Sequence, residues 1–249
     1  MTALRLVGHE LVEVEEPHLE DKRSFVQRLF TRIAPRYDWF NRLASCGLDQ
    51  RWRQIAMRQG AVESSQRILD VCAGTGDLAI LCARRQHGEG MIVGIDMNRA
   101  MLTYAQHKQR RSGLDIHWFE GDAQALPFVD GTFDRVTIGF STRNLSDLMM
   151  GLREMVRVLR PGGRLIILET GYPANPVVRG GYLVFLGTAA RLIGFVLTGR
   201  VWPFSYLARS VKQFLTPAQF VERLQSLQTE VQYVPLSYGL ASLYLATKR

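Results

Sequence analysis

The stretch Arg67-Ile68-Leu69-Asp70-Val71-Cys72-Ala73-Gly74-Thr75-Gly76-Asp77-Leu78 decides the fold. Its first half is a short apolar run of the kind that forms a buried strand, and its second half passes through two glycines into the start of a helix. Glycine lets a ligand come close to the backbone because no Cβ stands in the way. The free N–H groups of a first helical turn attract negative charge, while the Asp70 carboxylate attracts positive charge. Together they suit a ligand that carries both a carboxylate and an ammonium.

Outward from that loop, strands and helices alternate: strand 67–72, helix 77–85, strand 91–97, helix 99–111, strand 116–120, strand 133–140, helix 148–159 and strand 164–169. The alternation predicts an α/β fold, a mostly parallel Rossmann-like sheet with helices on both faces. Between residues 121 and 131, Pro127 and a shortage of helix formers predict a short turn or broken helix. Upstream, Phe25, Leu29, Phe30 and Ile33 recur at helical spacing until Pro35, and a second helix covers about 48–57, so residues 21–60 form a helical cap. Residues 1–20, acidic and interrupted by Pro17, read as a flexible leader. Residues 171–214, apolar and broken by Pro173, Pro176 and Pro203, read as a lid inserted after the fifth strand. Thr216 before Pro217 is an N-cap followed by proline at the first helical position. Strands 230–237 and 241–248, joined through Tyr238-Gly239-Leu240, make a terminal hairpin that completes seven strands with one of them antiparallel. Residues 21–249 thus read as a single domain.

Composition narrows the partners. With 249 residues, 47% hydrophobic and 22% charged, the chain is long and apolar enough for one sizeable core. Cys46, Cys72 and Cys82 form neither a disulfide framework nor a zinc cluster, and a cytoplasmic location is expected. The five histidines have no ligand-like spacing, so no metal is expected. Of the net charge of +8, +6 lies beyond residue 171, where eight basic residues face two acidic ones. Neither a Lys/Arg-rich run nor a nucleic-acid module accompanies it, so nucleic acid is not an expected partner. The most apolar stretch, 182–197, carries Arg191, Gly187 and Gly194 and falls short of the ~20 apolar residues of a spanning helix. It reads either as a helix pair capping the core or as a greasy port or membrane-facing surface.

The glycine loop alone fits two cofactors. Gly74, Gly76 and Ala79 also satisfy a dinucleotide fingerprint, with Asp96 20 residues after Gly76 at the end of the next strand, where in either case its carboxylate takes ribose hydroxyls. What separates the readings is Gly121-Asp122-Ala123, then Leu126-Pro127-Phe128, then Phe133-Asp134. That order, with Arg157-Val158-Leu159-Arg160-Pro161-Gly162-Gly163 and the terminal hairpin, resembles the class I methyltransferases. The resemblance implies S-adenosylmethionine as cofactor, with Asp122 reaching the adenine amino group and Ala123 closing over the ring. The cofactor set expected is Asp70, Gly74, Thr75, Gly76, Asp96, Met97, Asp122, Ala123 and Ser141.

The substrate is read from other residues. Tyr37-Asp38-Trp39-Phe40-Asn41, Ser45, Arg51-Trp52, Ile138-Gly139-Phe140 before Arg143-Asn144, the block ending at Glu169, and Tyr206-Leu207 with Ser210 together resemble the quinone C-methyltransferases. That family methylates demethylmenaquinol and the ubiquinone precursor, so a prenylated quinol is the implied substrate and the menaquinone branch the expected one. Departures fall on the substrate side: Phe40, Asp49, Arg160 and Gly171 stand where the family usually has Met, His, Lys and Ser. A quinol ring carbon becomes nucleophilic when an adjacent hydroxyl loses its proton, so an anion stabiliser is useful. Arg143 is the candidate for that role, and Tyr37 and Asp38 for positioning the hydroxyls. Arg179, Arg191 and Arg200 are expected to hold the apolar insertion against anionic lipid at the membrane's inner face. The ubiquinone branch, a soluble metabolite as substrate, a nicotinamide-dependent reductase, a silent binding subunit and a homo-oligomer stay open.

Overall fold

Period-two burial builds the sheet. Leu69 and Val71, Val93 and Ile95, and Leu165 and Ile167 enter one core cluster, whereas Ile68, Ile92, Ile166 and Leu168 enter a second. Successive residues of a strand point to opposite faces, so both faces of these strands are apolar, as helices on both sides require. The computed structural model describes residues 3–7, 10–14, 19–86, 90–171, 173–198, 206, 209–211 and 213–249.

The strands are β1 (Ala3–Val7), β2 (Glu10–Val14), β3 (Arg67–Val71), β4 (Met91–Asp96), β5 (His117–Glu120), β6 (Phe133–Gly139), β7 (Leu159–Thr170), β8 (Thr229–Leu236) and β9 (Ala241–Lys248). Seven form one sheet in the order β5-β4-β3-β6-β7-β9-β8. Strand β9 runs antiparallel to both β7 and β8, and the other neighbours pair in parallel. The order reverses between β4-β3 and β6, which opens a crevice beyond the carboxyl ends of those strands. Strands β1 and β2, where the sequence reads as a leader, pair only with each other as a separate ribbon.

Helices α1 (Leu19–Ile33), α2 (Tyr37–Ala44) and α3 (Leu48–Gln59) precede the sheet, and Pro35 sits in a 3₁₀ turn, Ala34–Arg36, that bends the chain directly into α2. Helices α4 (Asp77–Gln86), α5 (Arg99–Ser112) and α6 (Leu148–Arg157) cover the sheet faces. Residues 121–132 are turns, as Pro127 predicts. In the insertion, α7 (Pro176–Gly187) starts on an Asn175 cap and α8 (Ala189–Thr198) follows it. At Pro217–Gln225 the expected cap is present and reciprocal: the Gln219 N–H donates to Thr216 Oγ1 while the Gln219 side chain receives the Thr216 N–H. Among the described residues no helix is long and apolar enough to cross a membrane.

Gly171 is more than a missing hydroxyl. A Cβ there would lie 2.1 Å from the carbonyl oxygen of Gly239, which itself sits at φ +87° in the turn between β8 and β9. The carbonyl carbon of Gly239 and that of Ala241 are also close, and all three atoms are backbone, so none can swing away. Gly171→Ser should therefore cost about 2–3 kcal/mol through overpacking, seen as a lowered urea midpoint at unchanged m-value.

Candidate active site

Two cavities meet at the carboxyl ends of β3, β4 and β6. The first, about 90 Å³, is lined by Asp70, Cys72, Gly74, Thr75, Asp77, Asp96, Met97 and Ser141, with Val26 and Phe30 of α1 across from them. Helix α1 is tied over it. Lys22 Nζ donates to the Leu145 carbonyl at 2.7 Å, and Asn98 Nδ2 donates to the Gln27 carbonyl at 2.9 Å and to Thr31 Oγ1 at 2.8 Å. Cys72 and Phe140, at the ends of adjacent strands, both hold positive φ (52° and 57°), a costly conformation that clusters at functional sites.

The donors and acceptors of this cavity fit S-adenosylmethionine. Asp96 is at the end of β4, accepting from the Gly74 N–H at 2.7 Å and the Asn98 N–H at 2.8 Å, with its pKa raised by burial to about 6. Such a carboxylate, fixed by backbone and facing a crevice, suits a ribose diol. Asp70 is buried and accepts from the Ala79 N–H at 3.0 Å and Thr137 Oγ1 at 2.7 Å, yet desolvation lifts its pKa to about 7. A cationic ammonium entering beside it would recover that lost solvation.

The cofactor set does not converge as a whole. Gly76, at φ +83°, is packed under the loop: a Cβ there would meet the Trp118 indole at 2.7 Å. Gly94 seats the same ring. Ala123 is buried in the core, and Asp122 is ion-paired to Arg23 of α1 at 3.0 Å and accepts from the Gln124 N–H at 3.0 Å; neither lines the cavity. Asp38, expected beside Tyr37 at the substrate, faces the glycine loop instead. It accepts from Thr75 Oγ1 at 2.5 Å and pairs with Lys108 at 2.8 Å, and Lys108 pairs in turn with Asp77 at 2.5 Å. Consecutive residues of α2 point about 100° apart, which separates Asp38 from Tyr37.

The second cavity, about 440 Å³, is walled mainly by apolar side chains of α1, α2, α3 and α7, including Leu29, Phe40, Trp52 and Phe185, together with Phe140 after β6. Tyr37, Phe30 and Asn144 line both cavities and so mark where they join. Arg143, in the 3₁₀ turn Thr142–Asn144 after β6, lines the apolar cavity. Its guanidinium is paired with the buried carboxylate of Glu169, which also accepts from Thr142 Oγ1 at 2.5 Å. Arg143 Nε is buried without a partner among the described residues. Arg143 thus brings a positive charge, already committed to Glu169, to the wall of a mainly apolar chamber. Burial also raises the phenol pKa values of Tyr37 and Tyr206 and lifts Tyr182 to about 12, so these hydroxyls stay protonated around the cavity.

Three members of this arrangement escaped sequence reasoning. Lys108 carries no local signal. Glu169 is visible as the end of a strand and of a block that resembles the family, with nothing to mark it as the partner of Arg143. Arg53 could have been found from Asp49, because charges four apart on a helix are neighbours; the pair is 2.5 Å apart and buried.

Comparison with known proteins agrees with this architecture. The chain is 38% identical over 230 residues to a demethylmenaquinone methyltransferase of Deinococcus radiodurans, covering 92% of this chain and 95% of the relative. It is 35% identical to a ubiquinone/menaquinone biosynthesis C-methyltransferase of Dinoroseobacter shibae, covering 92% of each. Its fold is that of a SAM-dependent methyltransferase from Aquifex aeolicus, with a TM-score of 0.60 at 16% identity over 79% of this chain and 89% of that one. The model of the ubiE/COQ5 methyltransferase family matches residues 17–248, and with a nucleotide cavity opening onto an apolar one at Tyr37, the chain belongs to that family.

Proposed function

We propose that this protein methylates a ring carbon of a prenylated demethylmenaquinol, with S-adenosylmethionine as methyl donor. The observation that carries the proposal is a mainly apolar chamber, joined to the nucleotide cavity at Tyr37 and Asn144, with the cationic side chain of Arg143 in its wall. The donor supplies an electrophilic methyl when bound. Everything else falls to the protein. The chamber removes the quinol ring from water and aligns it, which supplies much of the rate advantage when reacting atoms approach to ~3–3.5 Å. Arg143 stabilises the oxyanion formed when the ring hydroxyl loses its proton, and Tyr37, kept protonated by burial, can donate to the same oxygen. The ring carbon would then take the methyl group as the S–CH3 bond breaks to leave a neutral thioether. That carbon's hydrogen would leave as a proton while the ring oxygen is reprotonated, so the aromatic quinol is restored with one proton released overall.

Calorimetry with S-adenosylhomocysteine and with NAD tests the cofactor: binding of NAD alone would overturn it. Mass spectrometry of lipid extracts from a deletion strain tests the substrate. A naphthoquinone lighter by one methyl is expected, a lighter benzoquinone would move the assignment to the ubiquinone branch, and an unchanged quinone pool would sink it.

The tail of such a substrate lies in a bilayer, and α7 and α8 suit contact with one. Helix α7 lines the chamber with Val178, Tyr182 and Phe185, while Val177 and Val184 are exposed, as are Leu192, Phe195 and Val196 of α8. Of the arginines read as lipid contacts, Arg179 is half-buried on α7, whereas Arg200 and the Arg191 side chain lie outside the described residues. Replacing Leu192, Phe195 and Val196 with serine should abolish co-flotation with anionic liposomes and leave S-adenosylhomocysteine binding unchanged. Equal flotation of wild type and variant would remove the membrane role of this face.

A further inference from the structure

Among the described residues the nucleotide cavity is walled by three aspartates, Asp70, Asp77 and Asp96, and by one cationic side chain, Arg53. An arriving ligand with a carboxylate meets repulsion from the three and attraction from the one. Arg53 is 6% exposed, on the face of α3 that turns toward the glycine loop. Its Nη1 is held at 2.5 Å by Asp49, and its guanidinium carbon lies 5.3 Å from the centre of the Phe140 ring. These two contacts fix the fork in place. Its other arm, Nη2, stands 3.6 Å from Asp77 Oδ2, an ion pair too long for a hydrogen bond and therefore open to a better partner. The positive charge is felt at both Asp70 and Tyr37, so it sits at the end of the cavity nearest the glycine loop and the junction with the apolar chamber.

We infer that Arg53 is the binding contact for the carboxylate of the cofactor's methionine moiety, with Asp49 as the residue that positions it. Asp49 itself lines the apolar chamber, so one buried ion pair spans the wall between the two cavities. Asp49 has a definite role in this arrangement: it supplies the fixed negative charge that keeps the guanidinium aimed across the wall. Loading the nucleotide cavity would leave Nη1 on Asp49 and move Nη2 from Asp77 to the ligand. Asp77 keeps Lys108 as its counter-charge at 2.5 Å and is not stranded by the exchange.

The test compares two ligands that share an adenosine and a thioether but differ in the amino-acid end. S-adenosylhomocysteine carries the carboxylate and ammonium; 5′-methylthioadenosine carries neither. In Arg53→Gln, affinity for S-adenosylhomocysteine should fall at least about tenfold, as expected for losing a charge-assisted contact, while affinity for 5′-methylthioadenosine stays within about twofold. Because Arg53→Gln also strands the buried Asp49 carboxylate, the same titrations are run on Asp49→Asn/Arg53→Gln, which has no buried charge left unpaired. The double variant should melt above the single one and show the same ligand-selective loss. Asp49→Asn alone should weaken S-adenosylhomocysteine by less than Arg53→Gln does. Unchanged S-adenosylhomocysteine affinity in the double variant would give the carboxylate to the backbone N–H groups of α4 instead. Parallel loss of both ligands would mean that Arg53 only shapes the cavity. Either result overturns the inference.

Discussion

Arg143→Gln should lower kcat by roughly 10²–10³-fold and leave S-adenosylhomocysteine affinity within about twofold, as expected for a donor that acts on developing charge. Arg143 lines the apolar chamber and not the nucleotide cavity, so cofactor binding has no reason to change. The complication is Glu169. Its carboxylate is 1% exposed and paired with Arg143, and a buried charge that loses its partner costs about 3–5 kcal/mol. Arg143→Gln/Glu169→Gln removes both charges and should recover most of the thermal stability. If activity stays low while the melting temperature returns, Arg143 acts on the substrate. If both return together, Arg143 serves only to neutralise Glu169, and the assignment fails.

Ligand-free protein should lose stability as pH rises from about 4 to 8. Asp70 has its pKa raised from 3.8 to about 7 because desolvation outweighs the hydrogen bonds from Thr137 and Ala79, and Asp96 is raised to about 6. A folded carboxylate with a raised pKa binds more protons than the unfolded chain between the two values. Its unfavourable ionisation is therefore absent below pH 4 and fully present once the pH has passed the folded pKa. At about 1.4 kcal/mol per unit, Asp70 alone contributes up to about 4 kcal/mol of destabilisation at pH 8. Asp70→Asn should abolish most of that slope and raise the ligand-free melting temperature at pH 8, since an amide can still accept from Ala79 and face the Thr137 hydroxyl. Stability that rises between pH 5 and 8 in the wild type, or an unchanged slope in Asp70→Asn, would contradict the burial assigned to this carboxylate.

Local chemistry made much of the fold readable. Strand 67–72, helix 77–85 and their successors follow from period-two and period-3.6 burial. The turn at 121–132 follows from Pro127, and the cap at Thr216 from a proline at the first helical position. The first helix stops at Ile33, two residues before Pro35, and the chain continues helically because proline's fixed φ suits the first turn of the 3₁₀ segment Ala34–Arg36. The site was only partly readable. Asp70, Gly74, Thr75, Asp96, Met97 and Ser141 do share one cavity, because the ends of adjacent parallel strands are neighbours in any such sheet. Asp38 and Asp122 lie elsewhere, because each is claimed by a cation from a distant element: Lys108, 70 residues away, and Arg23 of α1.

Sequence by itself determined the sheet, the glycine loop at its switch point and the membership that the glycine, aspartate and hairpin signals share. These depend on backbone conformation and on spacing along one element, which residue type largely dictates. Only the tertiary structure decided which charges face the two cavities. Arg143 is committed to Glu169, Asp38 to Lys108, and Arg53 to Asp49 at the wall between donor and acceptor sites. A buried charge goes to whichever partner packing brings within about 4 Å, because the low-dielectric interior makes an unpaired charge too costly to keep.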